Sequence, residues 1–139
     1  MIFVDTSALY ALADSADPNH EKARRILDGL LDRDEILLTH SYVLVESIAL
    51  VQHRLGTAPA VQLAESRGFE VEWIDAARHG ETVRVLGARG KRRVSFVDLV
   101  SFGVMRARGI GTAFAFDENF RHEGFALAIE PSSSPPPEG

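Results

Sequence analysis

Short apolar runs and stretches with helical spacing alternate down this chain, and that alternation restricts the fold more than any single motif. Ile2-Phe3-Val4, Ile36-Leu37-Leu38-Thr39, the alternating Phe69 to Ile74, Thr112 to Phe116 and Ala126 to Ile129 are short and bounded like strands. Between them the apolar residues recur at helical intervals. Helices are expected from Ser7 to Ala13, capped by Thr6 or Ser7, and from about Pro18 to Arg33, capped by Asp17. Further helices open at the cap Ser41, run from Pro59 to Ser66, extend from the cap Asp75 to about Arg89, and run from Phe96 to Arg108 until Gly109 and Gly111 stop them. Strands alternating with helices make βαβ units. The expected fold is an α/β three-layer sandwich: a central, mainly parallel sheet of four to five strands, helices on both faces and right-handed crossovers.

At 139 residues there is enough chain for one core. Residues 1–130 are expected to fold as a unit, and the Ser/Pro-rich residues 131–139 to form a disordered tail. The absence of Cys excludes a disulfide framework, a thiolate metal site and a thiol nucleophile, and it suits a reducing cytoplasm, the expected location. The amino terminus lacks a basic segment and carries Asp5 within its apolar run, which argues against a signal peptide. No run approaches the ~18 apolar residues of a membrane span. A net charge of -5 argues against a surface that grips polyanions everywhere.

Four acids stand where a plain solvated surface does not call for them. Asp5 ends the first strand, Asp117 follows the Ala-Phe-rich fourth, Asp98 opens an apolar helix, and Glu46 sits among the aliphatics Val43, Val45 and Ala49. In a parallel sheet the carboxyl ends of the strands share one edge, where ligands bind. Two carboxylates ~4 Å apart at an effective dielectric of ~20 repel by about 4 kcal/mol, a large share of a domain's roughly 5–15 kcal/mol of stability. A divalent cation removes the conflict, and oxygen ligands without Cys or clustered His select Mg²⁺ or Mn²⁺. Such a site suits metal-assisted phosphodiester hydrolysis. Ser7 and Ser95 are spaced to support the carboxylates of Asp5 and Asp98.

Each of these residues also has a simpler reading. Asp5 and Asp98 fit helix caps or first-turn acids, Asp117 fits the start of a turn with Asn119, and both serines fit caps. Spacing alone leaves both readings open, although Glu46 on an aliphatic helix has no obvious surface role.

The ordered set Ile2-Phe3-Val4-Asp5-Thr6-Ser7-Ala8-Leu9, Glu46, Ser95-Phe96-Val97-Asp98 and Ala115-Phe116-Asp117-Glu118-Asn119-Phe120 resembles the PIN-domain family of metal-dependent ribonucleases, in particular its VapC-like toxins. The resemblance spans Met1 to about Ile129. It implies a five-stranded parallel sheet and an acidic pocket holding one or two Mg²⁺ or Mn²⁺ ions. Asp5, Glu46, Asp98 and Asp117 would be the metal-binding catalytic acids, with Ser7 as a supporting hydroxyl. It also implies a homodimer and a cognate antitoxin whose tail enters the active groove. Asn119 stands where many relatives carry a further acid, which weakens the case for a second ion.

The activity expected on these grounds is endoribonucleolytic hydrolysis by metal-activated water. Arg89, Lys91, Arg92 and Arg93 form the densest basic run, immediately before Ser95 and Asp98, and are candidates for RNA phosphate contacts; a solvated loop is the alternative. His20, His40, His53, His79 and His122 lack metal-ligand spacing and read as surface or turn residues. Leu12, Leu44, Val51 and Leu55 suit a dimer surface and the core equally. Two rivals stand beside the toxin: a PIN-like nuclease of RNA processing, and a phospho-receiver module. The latter needs a late-strand Lys, and no Lys follows Lys91.

Overall fold

A computed structural model describes residues 1–89 and 93–130. The elements run β1 (Ile2–Val4), α1 (Thr6–Ala13), α2 (His20–Asp32), β2 (Leu37–His40), α3 (Ser41–Leu55), α4 (Thr57–Ala64), β3 (Glu70–Glu72), α5 (Ala76–Arg89), α6 (Phe96–Arg108), β4 (Thr112–Phe114), α7 (Asn119–His122) and β5 (Ala126–Leu127). All five strands are parallel, in the order β3-β2-β1-β4-β5. This is the α/β sandwich expected from the alternation. Residues 131–139, expected to be a disordered tail, lie outside the described residues, as do Lys91 and Arg92.

Position in the sheet explains strand composition. β1 is central and covered on both faces, so Ile2, Phe3 and Val4 are all buried. β3 lies at an edge and alternates charge with Val71, and Glu72 pairs with Arg108 at 2.6 Å. Right-handed crossovers from β1 to β2 and from β2 to β3 put α1 to α4 on one face, and the return to β4 puts α5 and α6 on the other. Packing agrees, since α1 meets α2 and α3, α3 meets α4, and α5 meets α6. Phe3, Phe102, Phe114 and Phe120 are fully buried at the centre.

Leu44 and Val51 are core residues, and Leu12 and Leu55 are half-buried against the core, so packing within the chain accounts for this set. Exposed aliphatic residues include Val83, Val85 and Leu86 on α5, and Leu31, Val45 and Val61 on α2, α3 and α4. Gly56 joins α3 to α4 at φ 101, and Gly109 closes α6 in the left-handed region at φ 67; a side chain would strain either turn.

Three expected caps fall on different residues. Asp5, not Thr6 or Ser7, caps α1 and accepts from the Ser7 N–H at 3.3 Å. Asn19, not Asp17, precedes α2, while Asp17 accepts from the Asn19 N–H in the preceding turn. His40, not Ser41, caps α3, because the strand turns into the helix without a loop and delivers the imidazole to the first free N–H groups. Asp75 and Ser95 cap as expected, accepting from the Arg78 and Asp98 N–H groups at 2.8 and 3.0 Å.

Candidate active site

β1 and β4 lie side by side, yet the chain leaves β1 towards β2 on one face and leaves β4 towards β5 on the other. Such a reversal of winding direction opens a crevice at the carboxyl ends of the strands. Asp5 stands at the end of β1, and Asp117 follows β4 by three residues. The Asp5 N–H donates to the Phe114 carbonyl at 3.0 Å, continuing the β1–β4 pairing up to the acid itself.

Ser7 ties these two strand ends together. Its hydroxyl donates to Asp5 Oδ2 at 2.7 Å and accepts from the Phe116 N–H at 3.0 Å, one residue before Asp117. One side chain thus sets the Asp5 rotamer and anchors the loop that carries Asp117. Asp98 lies in the first turn of α6 beneath its cap Ser95. Asp117 accepts from the Asn119 N–H at 2.9 Å, which is the turn reading, and Asn119 Nδ2 donates to the Arg93 carbonyl at 3.3 Å. Glu46 is exposed on α3.

Electrostatics link all four acids. Burial pushes Asp5 up from 3.8 to about 6; the Ser7 hydroxyl opposes this and the Asp98 charge adds to it. Asp98 is also raised, first by burial and then by the Asp117 charge, against hydrogen bonding from Ser95, with a smaller push from Glu46. The Asp98 carboxylate is the one whose charge couples to the other three acids. Among the described residues no Lys or Arg forms an ion pair with any of the four.

Among the described residues no group of three His, Asp or Glu side chains stands close enough together to hold a metal ion. Asp5 is held to Ser7, and Glu46 is out in solvent. The chemistry of the donors nevertheless suits a hard divalent cation: all four are carboxylates, one of them is raised to about 6 by burial and by a like charge, and among the described residues no cationic side chain is paired with any of them.

The basic run divides. Arg89 ends α5 and is ion-paired with Glu123, which also binds Arg106 at 2.9 Å. Burial raises the Glu123 carboxyl, but the two guanidinium groups outweigh it and hold it below its usual range. The Arg89 charge is therefore spent on joining α5 to α7. Arg93 is exposed, and with Val94, Asn119 and His122 it lines a cavity of about 290 Å³ beyond Asp117. A second cavity of about 330 Å³, between α1, α2 and α4, is lined almost wholly by aliphatic and aromatic side chains and lies apart from the acids.

The reading of the histidines as surface or turn residues fails for His40, which is fully buried. Its Nδ1 accepts from the Tyr42 and Val43 N–H groups at 3.2 and 3.3 Å, so the proton sits on Nε2, which donates to Ser101 Oγ at 2.8 Å. Ser101 donates onward to the Val97 carbonyl at 3.0 Å. Burial pushes His40 down from 6.5 to about 4 and keeps it neutral. The chain β2–His40–Ser101–α6 braces the helix bearing Glu46 against the helix bearing Asp98. Tyr42 sits one helical turn before Glu46 on α3, a spacing visible in the sequence itself.

The five-stranded parallel sheet with its switch-point crevice is a PIN-type fold, and residues 2–125 match the PIN domain. The chain belongs to the PIN-domain family, which removes the phospho-receiver alternative. It is 37% identical over 128 residues to the 23S rRNA-specific endonuclease VapC20 of Mycobacterium tuberculosis, a match found in two strains and covering 90% of this chain and 95% of the relative. The crystal structure of VapC20, described as a sarcin-ricin loop cleaving toxin, superposes with a TM-score of 0.84 at 34% identity, covering 94% of this chain and 100% of that one.

Proposed function

We propose that this chain is a metal-dependent endoribonuclease and the toxin half of a toxin–antitoxin pair, hydrolysing a phosphodiester bond in RNA. The observation that carries the reading is the placing of Asp5 and Asp117 just past the carboxyl ends of the adjacent strands β1 and β4, with the Asp98 charge coupled to both and to Glu46 and no ion-paired cation on any of the four among the described residues. Kinship with VapC20, named as a 23S rRNA endonuclease, supports RNA as substrate, and an unpaired loop of a structured RNA as its form. A small antitoxin is the expected protein partner, a homodimer the expected assembly, and the cytoplasm the expected location.

Asp5, Asp98, Asp117 and Glu46 would hold Mg²⁺ or Mn²⁺. The bound ion supplies positive charge to the attacked phosphate and lowers the pKa of a neighbouring water. Ser7 keeps the Asp5 carboxylate facing the crevice and fixes the β4 end that carries Asp117. Ser95 holds the first turn of α6 and with it Asp98. Exposed Glu46 would complete the set from α3 and would take a proton from water. Water adds to phosphorus, the bond to the leaving ribose oxygen breaks, and that oxygen takes up a proton. Arg93 is placed to meet flanking phosphates, and Lys91 and Arg92, outside the described residues, belong to the same run.

The test is cleavage of ribosomal RNA and of its isolated loops, with Mg²⁺, Mn²⁺ or EDTA. Wild type should cut only with the metals, and Asp5→Asn or Asp98→Asn should cut about 10²-fold more slowly or worse. Equal cleavage by either Asn variant would remove that residue from the site, and cleavage in EDTA would remove the metal.

A further inference from the structure

A cleft of about 510 Å³ opens at the carboxyl edge of the sheet, between the start of α2 and the ends of β4 and β5. Asn19 and Lys22 line it from the start of α2, Phe116 and Glu118 from the loop after β4, Arg121 from α7, and Ile129 from beyond β5. The cleft adjoins the acids. Phe116 and Glu118 stand on either side of Asp117 in the chain, and the Phe116 N–H donates to Ser7 Oγ, which in turn donates to Asp5 Oδ2. Its volume falls within the roughly 300–1,000 Å³ of small-ligand sites. The carboxylates at its rim are answered by guanidinium groups. Arg25 meets both oxygens of Glu130, at 3.0 and 3.3 Å. Arg121 reaches Glu118 only at 3.4 Å with both side chains more than half exposed, a pair that water screens. Lys22 is exposed and forms no ion pair among the described residues; Glu130 feels its charge, though less than that of Arg25.

We propose that this cleft is a subsite for one nucleotide of the RNA next to the cleaved bond, in which Lys22 and Arg121 meet the phosphate and the apolar wall of Phe116 and Ile129 meets the base. The proposal rests on the ribonuclease reading and deepens it by assigning where the substrate is gripped. Four carboxylates at the reacting phosphate repel a polyanion, and the guanidinium groups of Arg89 and Arg106 are already held by Glu123. Lys22 and Arg121 supply positive charge at the same sheet edge, on the β5 side of Asp117. An RNA strand must leave the acids along a concave surface that touches them, and this cleft shares the Asp117 loop as a wall. Phosphate contacts of this kind fix the register of the strand without reading its sequence.

The experiment uses the full chain in EDTA with a short labelled single-stranded RNA, its intactness checked on a gel, and follows anisotropy across a salt series. Lys22→Ala and Arg121→Ala, both at exposed residues, should each weaken binding about fivefold. Each should also flatten the slope of log affinity against log salt by about 0.7, the share of one phosphate on a single strand. Arg67→Ala removes the same charge just before β3, at the opposite edge of the sheet, and should change neither quantity. The chain has no Cys, so Ile129→Cys carries a unique thiol, which saturating RNA should protect from alkylation. The thiol of Val61→Cys, on α4, should stay reactive. Wild-type affinity and slope in Lys22→Ala, an equal loss in Arg67→Ala, or an unprotected Ile129→Cys thiol overturns the subsite; cleavage by wild type in Mn²⁺ would then leave the ribonuclease reading standing. If wild type neither binds nor cleaves RNA, both fall. If Lys22→Ala loses a protein partner while keeping RNA affinity, the surface belongs to that partner and the subsite is wrong.

Discussion

Asp5 sits in the protein at a cost to stability, and the sign of that cost can be measured. Its folded pKa of about 6 lies above the 3.8 of an exposed carboxyl, so the folded chain holds this proton more tightly than the unfolded one. The associated stability is fully present below about pH 3.8 and is lost as the pH rises through about 6. At neutral pH without metal the loss amounts to about 3 kcal/mol. Asn caps helices as well as Asp and can still accept from Ser7. Asp5→Asn should therefore raise unfolding free energy in EDTA at pH 8 by about 1–3 kcal/mol, with the gain vanishing near pH 4. Urea titrations at both values check this, and an Asn variant less stable at pH 8 would contradict it. The same carboxylate would then be destabilising when empty and required for activity, as expected of a functional group over-determined by its surroundings.

Among the elements, α3 and α6 carry Glu46 and Asp98, and what joins them is His40. The imidazole caps α3 with two hydrogen bonds and reaches α6 through Ser101. Its folded pKa of about 4 lies below 6.5, so its stabilising effect is complete above about pH 6.5 and is lost as the pH falls through about 4. His40→Ala loses the cap and opens a buried gap, and should cost about 2–4 kcal/mol at pH 7. His40→Asn retains a capping oxygen but cannot titrate. The stability difference between wild type and His40→Asn should shrink by about 3 kcal/mol between pH 7 and pH 4, as followed by chemical denaturation. A difference that does not change with pH would mean that the buried ring does not titrate. None of this is legible in the residues around His40, because Leu37-Leu38-Thr39-His40-Ser41 reads equally well with the imidazole facing solvent. Only the direct passage from β2 into α3 turns it inward.

For the whole molecule, metal binding and folding should be linked. A cation that relieves repulsion among four carboxylates binds the folded chain and has no assembled site in the unfolded one, so it stabilises by mass action, about 2.7 kcal/mol at a hundredfold excess over its Kd. Mg²⁺ or Mn²⁺ should raise the melting temperature of wild type at constant ionic strength and leave Asp5→Asn almost unchanged. Equal shifts in both proteins would mean that the ions act elsewhere. Among the described residues no helix is long and apolar enough to cross a membrane, and the exposed aliphatics Val83, Val85 and Leu86 give α5 the surplus surface that Leu44 and Val51 do not.

What the amino-acid order determined by itself was local. Alternating short apolar runs and helical spacing produced the βαβ class, because side-chain period and strand length are properties of consecutive residues. The same order put Asp5 and Asp117 at strand ends and Asp98 behind its cap. Tertiary structure decided which residues meet. The order β3-β2-β1-β4-β5 brings Asp5 beside Asp117 across more than a hundred residues of chain, spends Arg89 on Glu123, buries His40 and leaves Trp73 bare. These outcomes depend on long-range packing, where charge and burial are set by neighbours distant in sequence.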